Sequence, residues 1–355
     1  MKGSRVALFG RKKNPLLGVD ISSTSVKLLE LSSAGGRYRV ESYAVEPLPA
    51  NAVVEKTITD VARVGEAVAR AVRKSGTRNR DAACAVPSSS VITKVIQMPA
   101  DLGEDELEGR IQLEADQYIP YSMDEINLDF TVLGPSPTDS SKVEVLLAAS
   151  RSENVASRVD ALEAGGLRVR VVDVEASALE TAMTLVAPQY PEARIIAVAD
   201  VGASTSTLSV LDQGRIIYSR EQLFGGRLLT DEIQRRYGLS YEEAGLRKRQ
   251  GGLPSNYEPE VLRPFMEAMC QEIFRALQFF YSSSQVRTVD QVLIAGGCGS
   301  IQDIDLMIQA RLSTPVAVAN PLASMTAAAR VTTDALVNDA PALMTACGLA
   351  LRSFD

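Results

Sequence analysis

A chain of 355 residues with 46% apolar and 23% charged side chains has the balance of a folded globular protein and the length for roughly two to four compact units. A net charge of -7, with basic residues scattered except at Arg11, Lys12 and Lys13, excludes a surface built to wrap nucleic acid. The lack of any His removes Ser/His/Asp and Cys/His nucleophiles and the commonest transition-metal ligand, so any chemistry rests on carboxylates, lysines, hydroxyls or a bound ion.

The first apolar stretch, VALFG at residues 6–10, is too short for the apolar core of an export signal. Cys84, Cys270, Cys298 and Cys347 stand far apart without paired spacing, which argues against a zinc site or a disulfide framework and fits a reducing, cytosolic compartment. Pro15 to Val19 reads as a buried strand that enters Asp20, turns through Ser22, Ser23 and Thr24, and leaves in a second strand to Leu31. Gly35 and Gly36 turn the chain again into a third strand, Tyr38 to Val45, and a helix follows at Val61 to Lys74.

A different kind of segment comes next. Strand-like DAACAVP and VITKVIQMP precede an amphipathic helix near Glu104 to Tyr118, strands near Leu128 to Leu133 and Val143 to Ala149, and a helix from Glu153 that stops at Gly165-Gly166. With its own strands and helices it reads as an inserted domain over residues 84–167. The strand and helix in LRVRVVDVEASALETAM then return to the first lobe.

The opening pattern recurs. Ile195 to Ala199 enters Asp200, Gly202 and the hydroxyl run Ser204, Thr205 and Ser206 follow, Gln213-Gly214 turns the chain into Ile216 to Arg220, and a helix covers Leu228 to Tyr237. Asp20 and Asp200 thus sit at matching tips of two β-β-β-α units, which predicts a duplicated α/β fold with a cleft between its halves. After a polar stretch, Tyr241 to Tyr257, a long helix over Pro259 to Ser283 carries Val261, Leu262, Phe265, Met269, Ile273 and Leu277 at helical spacing, as a core-facing helix does. A buried strand at Asp290 to Ala295 runs into Gly296-Gly297-Cys298-Gly299 and a helix near Ile301. The longest uncharged run, Leu312 to Ala329, contains Pro315 and Pro321, so a spanning helix is not expected there. A short apolar helix over Ala342 to Arg352 is expected to dock on another lobe.

If the halves face each other, Asp20 and Asp200 converge, and two carboxylates suit a hydrated Mg2+, which prefers oxygen ligands and bridges to phosphates. Hydroxyls and amides of Ser22, Ser23, Thr24, Ser204, Thr205 and Ser206 can donate to phosphate oxygens, with Lys27 adding charge on the strand beyond. Gly225-Gly226 before a helix offers a phosphate-facing N-terminus, and Gly296, Gly297 and Ser300 offer close backbone approach for a nucleoside. No GxxxxGK[ST] run occurs, which excludes a P-loop.

In their order these residues resemble the actin-like ATPase superfamily: a first phosphate motif at Asp20 to Lys27, a second at Asp200 to Thr207, and an adenosine motif at Ile294 to Ser300. The resemblance implies a duplicated, ribonuclease H-like two-lobed fold. An insertion within the first lobe resembles the FtsA branch. LLGVDISSTSVKLLEL, ESYAVEPLP, EADQYIPY (Glu114 to Tyr121), VVDVEASALE and QLFGGRLLTDEI (Gln222 to Ile233) are similar to the PilM family of type IV pilus assembly. This divides the chain into a first lobe (1–83, 168–195, 336–355), the insertion (84–167) and a second lobe (196–335, with a subdivision at about 236–284).

The resemblance also implies ATP and Mg2+ as ligands, with Lys248 near the nucleoside and slow or absent hydrolysis. Ser22 stands where the family usually has Gly, and Gly245 falls near its usual nucleoside-facing acid. It implies a cytoplasmic scaffold, peripheral at the inner face of the bacterial inner membrane through its partners and without membrane insertion of its own. The partner it implies is the cytoplasmic N-terminal peptide of PilN, held in the groove between first lobe and insertion, with indirect links to PilO, PilP and the pilus motor ATPases and scope for self-association. Two other readings stand beside it. A small-molecule kinase of the same fold needs a base near its acceptor, for which no residue stands out, and an FtsA-like division protein ordinarily carries a C-terminal amphipathic helix, whereas this chain ends at Leu351-Arg-Ser-Phe-Asp355.

Overall fold

The computed structural model describes residues 15–354; VALFG and the basic run Arg11 to Lys13 lie outside them. The chain opens with three antiparallel strands, β1 (Leu17–Ile21), β2 (Ser25–Ala34) and β3 (Arg37–Pro47). Every residue of β1 is buried, Asp20 included, as its otherwise apolar run demands of a strand covered on both faces. A two-stranded hairpin, β4 (Val53–Val54) and β5 (Thr57–Ile58), leads into α1 (Val61–Ser75). Asp60 caps that helix by accepting from the Arg63 amide at 3.0 Å, and Gly76 ends it in the left-handed conformation. Val64, Ala67, Val68 and Ala71 form its core face. β6 (Asp81–Val86) then pairs parallel to β1.

The insertion has its own sheet. β7 (Val91–Pro99), α2 (Glu104–Glu114), β8 (Ile126–Pro135) and β9 (Lys142–Arg151) follow in sequence, with the antiparallel order β7-β9-β8. Ile96, Met98, Leu107, Ile111, Val145 and Leu147 make a separate core. The chain returns through α3 (Ser152–Ala164), β10 (Arg168–Val174) and α4 (Glu175–Val186). The independently cored segment is narrower than residues 84–167. Cys84 lies in β6, paired with Val172 of β10, and Ala161, Leu162 and Leu167 belong to the core around α1. The glycine pair at 165–166 ends a helix of the first lobe and does not mark a domain boundary.

The second lobe runs through β11 (Ile195–Val201), β12 (Ser206–Asp212), β13 (Arg215–Gln222), α5 (Gly226–Tyr237), α6 (Tyr241–Gln250), α7 (Arg263–Ser283), β14 (Gln291–Ala295), α8 (Ile304–Leu312) and β15 (Val316–Val318). The polar stretch at 241–257 opens with α6 because Ser240 and Glu243 form a reciprocal capping box. α7 buries Phe265, Met269, Ile273 and Leu277 against this sheet, as their spacing predicts.

β16 (Thr326–Ala327) pairs with β3, so the chain is back in the first sheet before residue 335. α9 (Thr333–Asp339) and α10 (Met344–Leu351) complete it. The first sheet has the order β10-β6-β1-β2-β3-β16 and the second β13-β12-β11-β14-β15. Read from β3, the first sheet runs β3-β2-β1-β6-β10, with the same connectivity and strand directions as the second. The duplication seen at two hairpins therefore extends to five strands of each sheet, with β16 an addition at the edge of the first.

Two helices join the lobes. In α4, Ala178 faces the first sheet beside Ala83, whereas Ala182, Met183 and Val186 pack on Ile196, Val198 and Leu293 of the second. α10, apolar on every side, lies between β1 and α4. A Cβ on Gly18 would stand 2.0 Å from the Ala346 carbonyl oxygen, and one on Gly348 would stand 1.8 Å from that of Ala178. Strand and helices thus meet backbone to backbone at glycines that admit no side chain. Among the described residues no helix is long and apolar enough to cross a membrane.

Candidate functional site

The two hairpin tips face a single cleft of about 1500 Å³ between the lobes. Asp20, Ser22, Ser23, Thr24 and Lys27 line one side, and Asp200, Gly202, Ser204 and Thr205 line the other. The tips are built alike. The Ser22 amide donates to the Ser25 carbonyl and the Gly202 amide to the Thr205 carbonyl, each at 3.0 Å. Those bonds turn the loop so that the amides of Ser23, Thr24, Ala203 and Ser204 find no acceptor among the described residues. Such a turn leaves donors for an anion. Ser22 is not among the residues with positive φ, so its backbone does not require a glycine there, and its hydroxyl donates to the Ser25 carbonyl at 2.9 Å.

The carboxylates differ in their surroundings. Asp20 pairs across the hairpin with Lys27, whose Nζ donates to Oδ2 at 2.7 Å. Burial disfavours that ammonium, but the charge and hydrogen bond of Asp20, together with the charges of Asp200 and Glu175, outweigh burial and raise the Lys27 pKa above the ordinary lysine value. In the second copy Thr207 occupies the position of Lys27, opposite Asp200. Asp200 has no hydrogen-bonding partner among the described residues, and burial, against the pull of Lys27 and Lys56, holds its carboxyl above the usual carboxylate range. A half-buried carboxylate with no hydrogen-bond donor on it is the kind of group that a cation relieves.

Gly296, Gly297 and Ser300 line the same cleft. Gly296 has φ 81 and its amide donates to the Pro341 carbonyl at 2.8 Å; Gly297 has open space where a side chain would start, and the Ser300 hydroxyl donates back to Gly297 at 2.9 Å. Lys248 of α6 also lines it, with its ammonium on the Gly226 carbonyl at 3.0 Å and the Thr230 hydroxyl at 2.8 Å and its pKa lowered by burial.

Two expected residues stand elsewhere. Ser206 is not part of the lining: it is 6% exposed and its hydroxyl donates to the Phe224 carbonyl at 2.7 Å. Gly225 is also absent from the lining and is a packing glycine, where a Cβ would meet the Ala203 carbonyl oxygen at 2.4 Å. Gly226 does line the cleft, but the amides that open α5 are engaged, Gly226 with the Gly202 carbonyl at 2.9 Å and Arg227 with that of Ala203 at 2.8 Å. The helix start therefore holds the second tip in place and presents no free N-terminus.

Sequence reasoning missed Lys56, Glu175 and Glu221, which line the cleft together. Lys56 donates to Glu175 at 2.9 Å and pairs with Glu221 at 2.7 Å. Burial raises the Glu175 pKa, against the pull of Lys56 and with some repulsion from Asp20. These residues come from three distant segments, and the only signal was that Glu175 lies within VVDVEASALE.

The family model of the type IV pilus assembly protein PilM matches residues 18–354. Among solved structures, a chain of a PilM-PilN type IV pilus biogenesis complex superposes with a TM-score of 0.77 and 27% identity, covering 97% of this chain and 99% of that one. The ethanolamine utilization protein EutJ from Carboxydothermus hydrogenoformans superposes with a TM-score of 0.55 and 16% identity, over 95% of this chain and 91% of that one, a likeness of fold alone. The two-lobed α/β architecture is actin-like.

Proposed function

Because the chain belongs to the PilM family of type IV pilus assembly proteins, we propose that it is a nucleotide-binding scaffold of pilus biogenesis whose interlobe cleft takes Mg-ATP and whose groove beside the insertion takes the cytoplasmic N-terminal peptide of PilN. The observation that carries the nucleotide reading is the pair of equivalent hairpin tips, Asp20 and Asp200, on one cleft. Free tip amides and Lys27 suit phosphate oxygens, and Gly297 gives open backbone for the nucleoside. For Mg2+ the unpartnered Asp200 is the fitting residue. Among the described residues no three acidic or Cys side chains are grouped to cage a metal, so the ion would be held through water and phosphate oxygens, where it neutralises phosphate charge.

The PilN reading is supported by the likeness, over nearly the whole of both chains, to a relative solved in complex with PilN. On this reading the protein sits at the inner face of the inner membrane through PilN, and through it reaches PilO, PilP and the motor ATPases. Nucleotide changes the spacing of the lobes and with it the groove, which requires only that ligand and peptide prefer different lobe spacings.

Equilibrium binding tests both halves. Fluorescent Mg-ATP is titrated into the wild type and Asp200→Ala, and a fluorescent PilN N-terminal peptide into the wild type with and without Mg-ATP. Tight binding of Mg-ATP that the variant loses, with a peptide affinity that shifts when nucleotide is present, is expected. No nucleotide binding to the wild type sinks the switch, and no peptide binding sinks the partner assignment.

A further inference from the structure

Glu55 and Lys56 join β4 to β5 in a two-residue turn, and both have left-handed backbones, φ 46 and 64. Such turns ordinarily use Asn and Gly, because side chains crowd the backbone at positive φ. A strained turn persists only where its surroundings hold it. Here the fastening is Arg158 of α3, 2% exposed, which donates Nη2 to the Lys56 carbonyl at 2.8 Å and Nε to the Ala85 carbonyl at 2.7 Å.

The fastened turn aims the Lys56 ammonium across the junction. On one side it meets Glu175, the first residue of α4, at 2.9 Å, and on the other Glu221, on β13 of the second lobe, at 2.7 Å. The three side chains are 17%, 21% and 31% exposed, so the bridge is shielded enough to exceed an open surface pair and still borders the cleft. We propose that Lys56 is an interlobe latch: its pair with Glu221 ties the lobes together without ligand, and a phosphate-bearing ligand in the cleft competes with Glu221 for the ammonium. Lys56 lines the same cleft as Asp20, Ser23, Thr24 and Asp200, the end that would take phosphates. The competition rests on the nucleotide reading; the tie between lobes does not.

The test uses the full chain with spin labels at Ser89→Cys and Glu242→Cys, exposed positions on opposite walls of the cleft. The four native cysteines are buried, which keeps labelling selective. Without nucleotide, Glu221→Gln and Lys56→Met are expected to lengthen and broaden the label-to-label distance beyond the width of the wild-type distribution, while Lys56→Arg retains it. Glu221→Gln lies outside the strained turn, so it reports on the pair without risking the turn's fold. A Glu221→Gln distribution that superimposes on the wild type overturns the latch. Fluorescent Mg-ATP is titrated in parallel: no binding to the wild type removes the nucleotide reading alone, because the nucleotide-free distances still decide the latch. Binding that leaves the wild-type distance unchanged removes the competition.

Discussion

Asp200 and Gly296 stand back to back where β11 and β14 leave the second sheet: a Cβ on Gly296 would lie 2.5 Å from Asp200 Oδ1 and 2.4 Å from the Val201 carbonyl oxygen. The glycine also holds φ 81. Gly296→Ala is therefore expected to lower unfolding stability by about 2 kcal/mol, the usual range for overpacking combined with left-handed strain. It is also expected to weaken Mg-ATP binding, because Asp200 has to move. A urea midpoint equal to the wild type would show that the tip relaxes freely.

Asp200 itself is expected to cost stability when charged. Its pKa is raised by burial, so the folded state favours the protonated form, and ionisation above the folded pKa destabilises it. At pH 7 without metal, Asp200→Asn is expected to be more stable than the wild type by about 1 kcal/mol, typical of relieving a functional site. That gain shrinks as pH falls through the raised folded value and vanishes below the ordinary value of 3.8. Thermal melts across this window check the sign, and a less stable Asn variant at pH 7 rejects it.

Gly348→Ala is expected to be far costlier than a surface glycine change. Its Cβ would sit 1.8 Å from the Ala178 carbonyl oxygen, and neither backbone can yield without parting α10 from α4. A loss of about 3 kcal/mol or more follows from overpacking. Gly109→Ala within α2 meets nothing within 4 Å and is expected to add about 0.5–1 kcal/mol. Denaturant titration of the two variants gives opposite signs if the packing is as described.

Breaking the Asp20–Lys27 pair strands a charge. Both side chains are nearly buried, 11% and 13% exposed, so Asp20→Asn is expected to cost about 3 kcal/mol at neutral pH. The folded pKa of Lys27 is raised above its unfolded value of 10.5. The pair's contribution is accordingly complete below 10.5 and is lost as pH rises through the folded value. The gap between wild type and variant in urea should stay constant to about pH 10 and close above it.

Much of this architecture was legible where chemistry and periodicity are local. The entry strands into Asp20 and Asp200 are unbroken apolar runs, and the α7 core face follows from one repeat of 3.6 residues. What was not legible depends on who pairs with whom. Ser206 looks like its neighbour Thr205, yet the ladder of β12 turns one hydroxyl onto Phe224 and leaves the other on the cleft. Gly225 and Gly226 read alike, and only the close approach of Ala203 shows that the first is there for packing. Lys56, Arg158, Glu175 and Glu221 have no mutual spacing to detect, since only the assembled lobes bring them together.

The junction of β1 with α10 also orders events during synthesis. The Leu16 amide donates to the Ser353 hydroxyl at 2.7 Å across 337 residues of chain, and β1 is covered by a helix translated only after the second sheet has been made. The first sheet must wait on the ribosome with its central strand uncovered, whereas the second, contiguous from Ile195 to Val318, can form as it emerges. Nascent chains stalled before Met344 therefore lack the helix that covers β1, and the first sheet keeps an apolar face bare until that helix emerges.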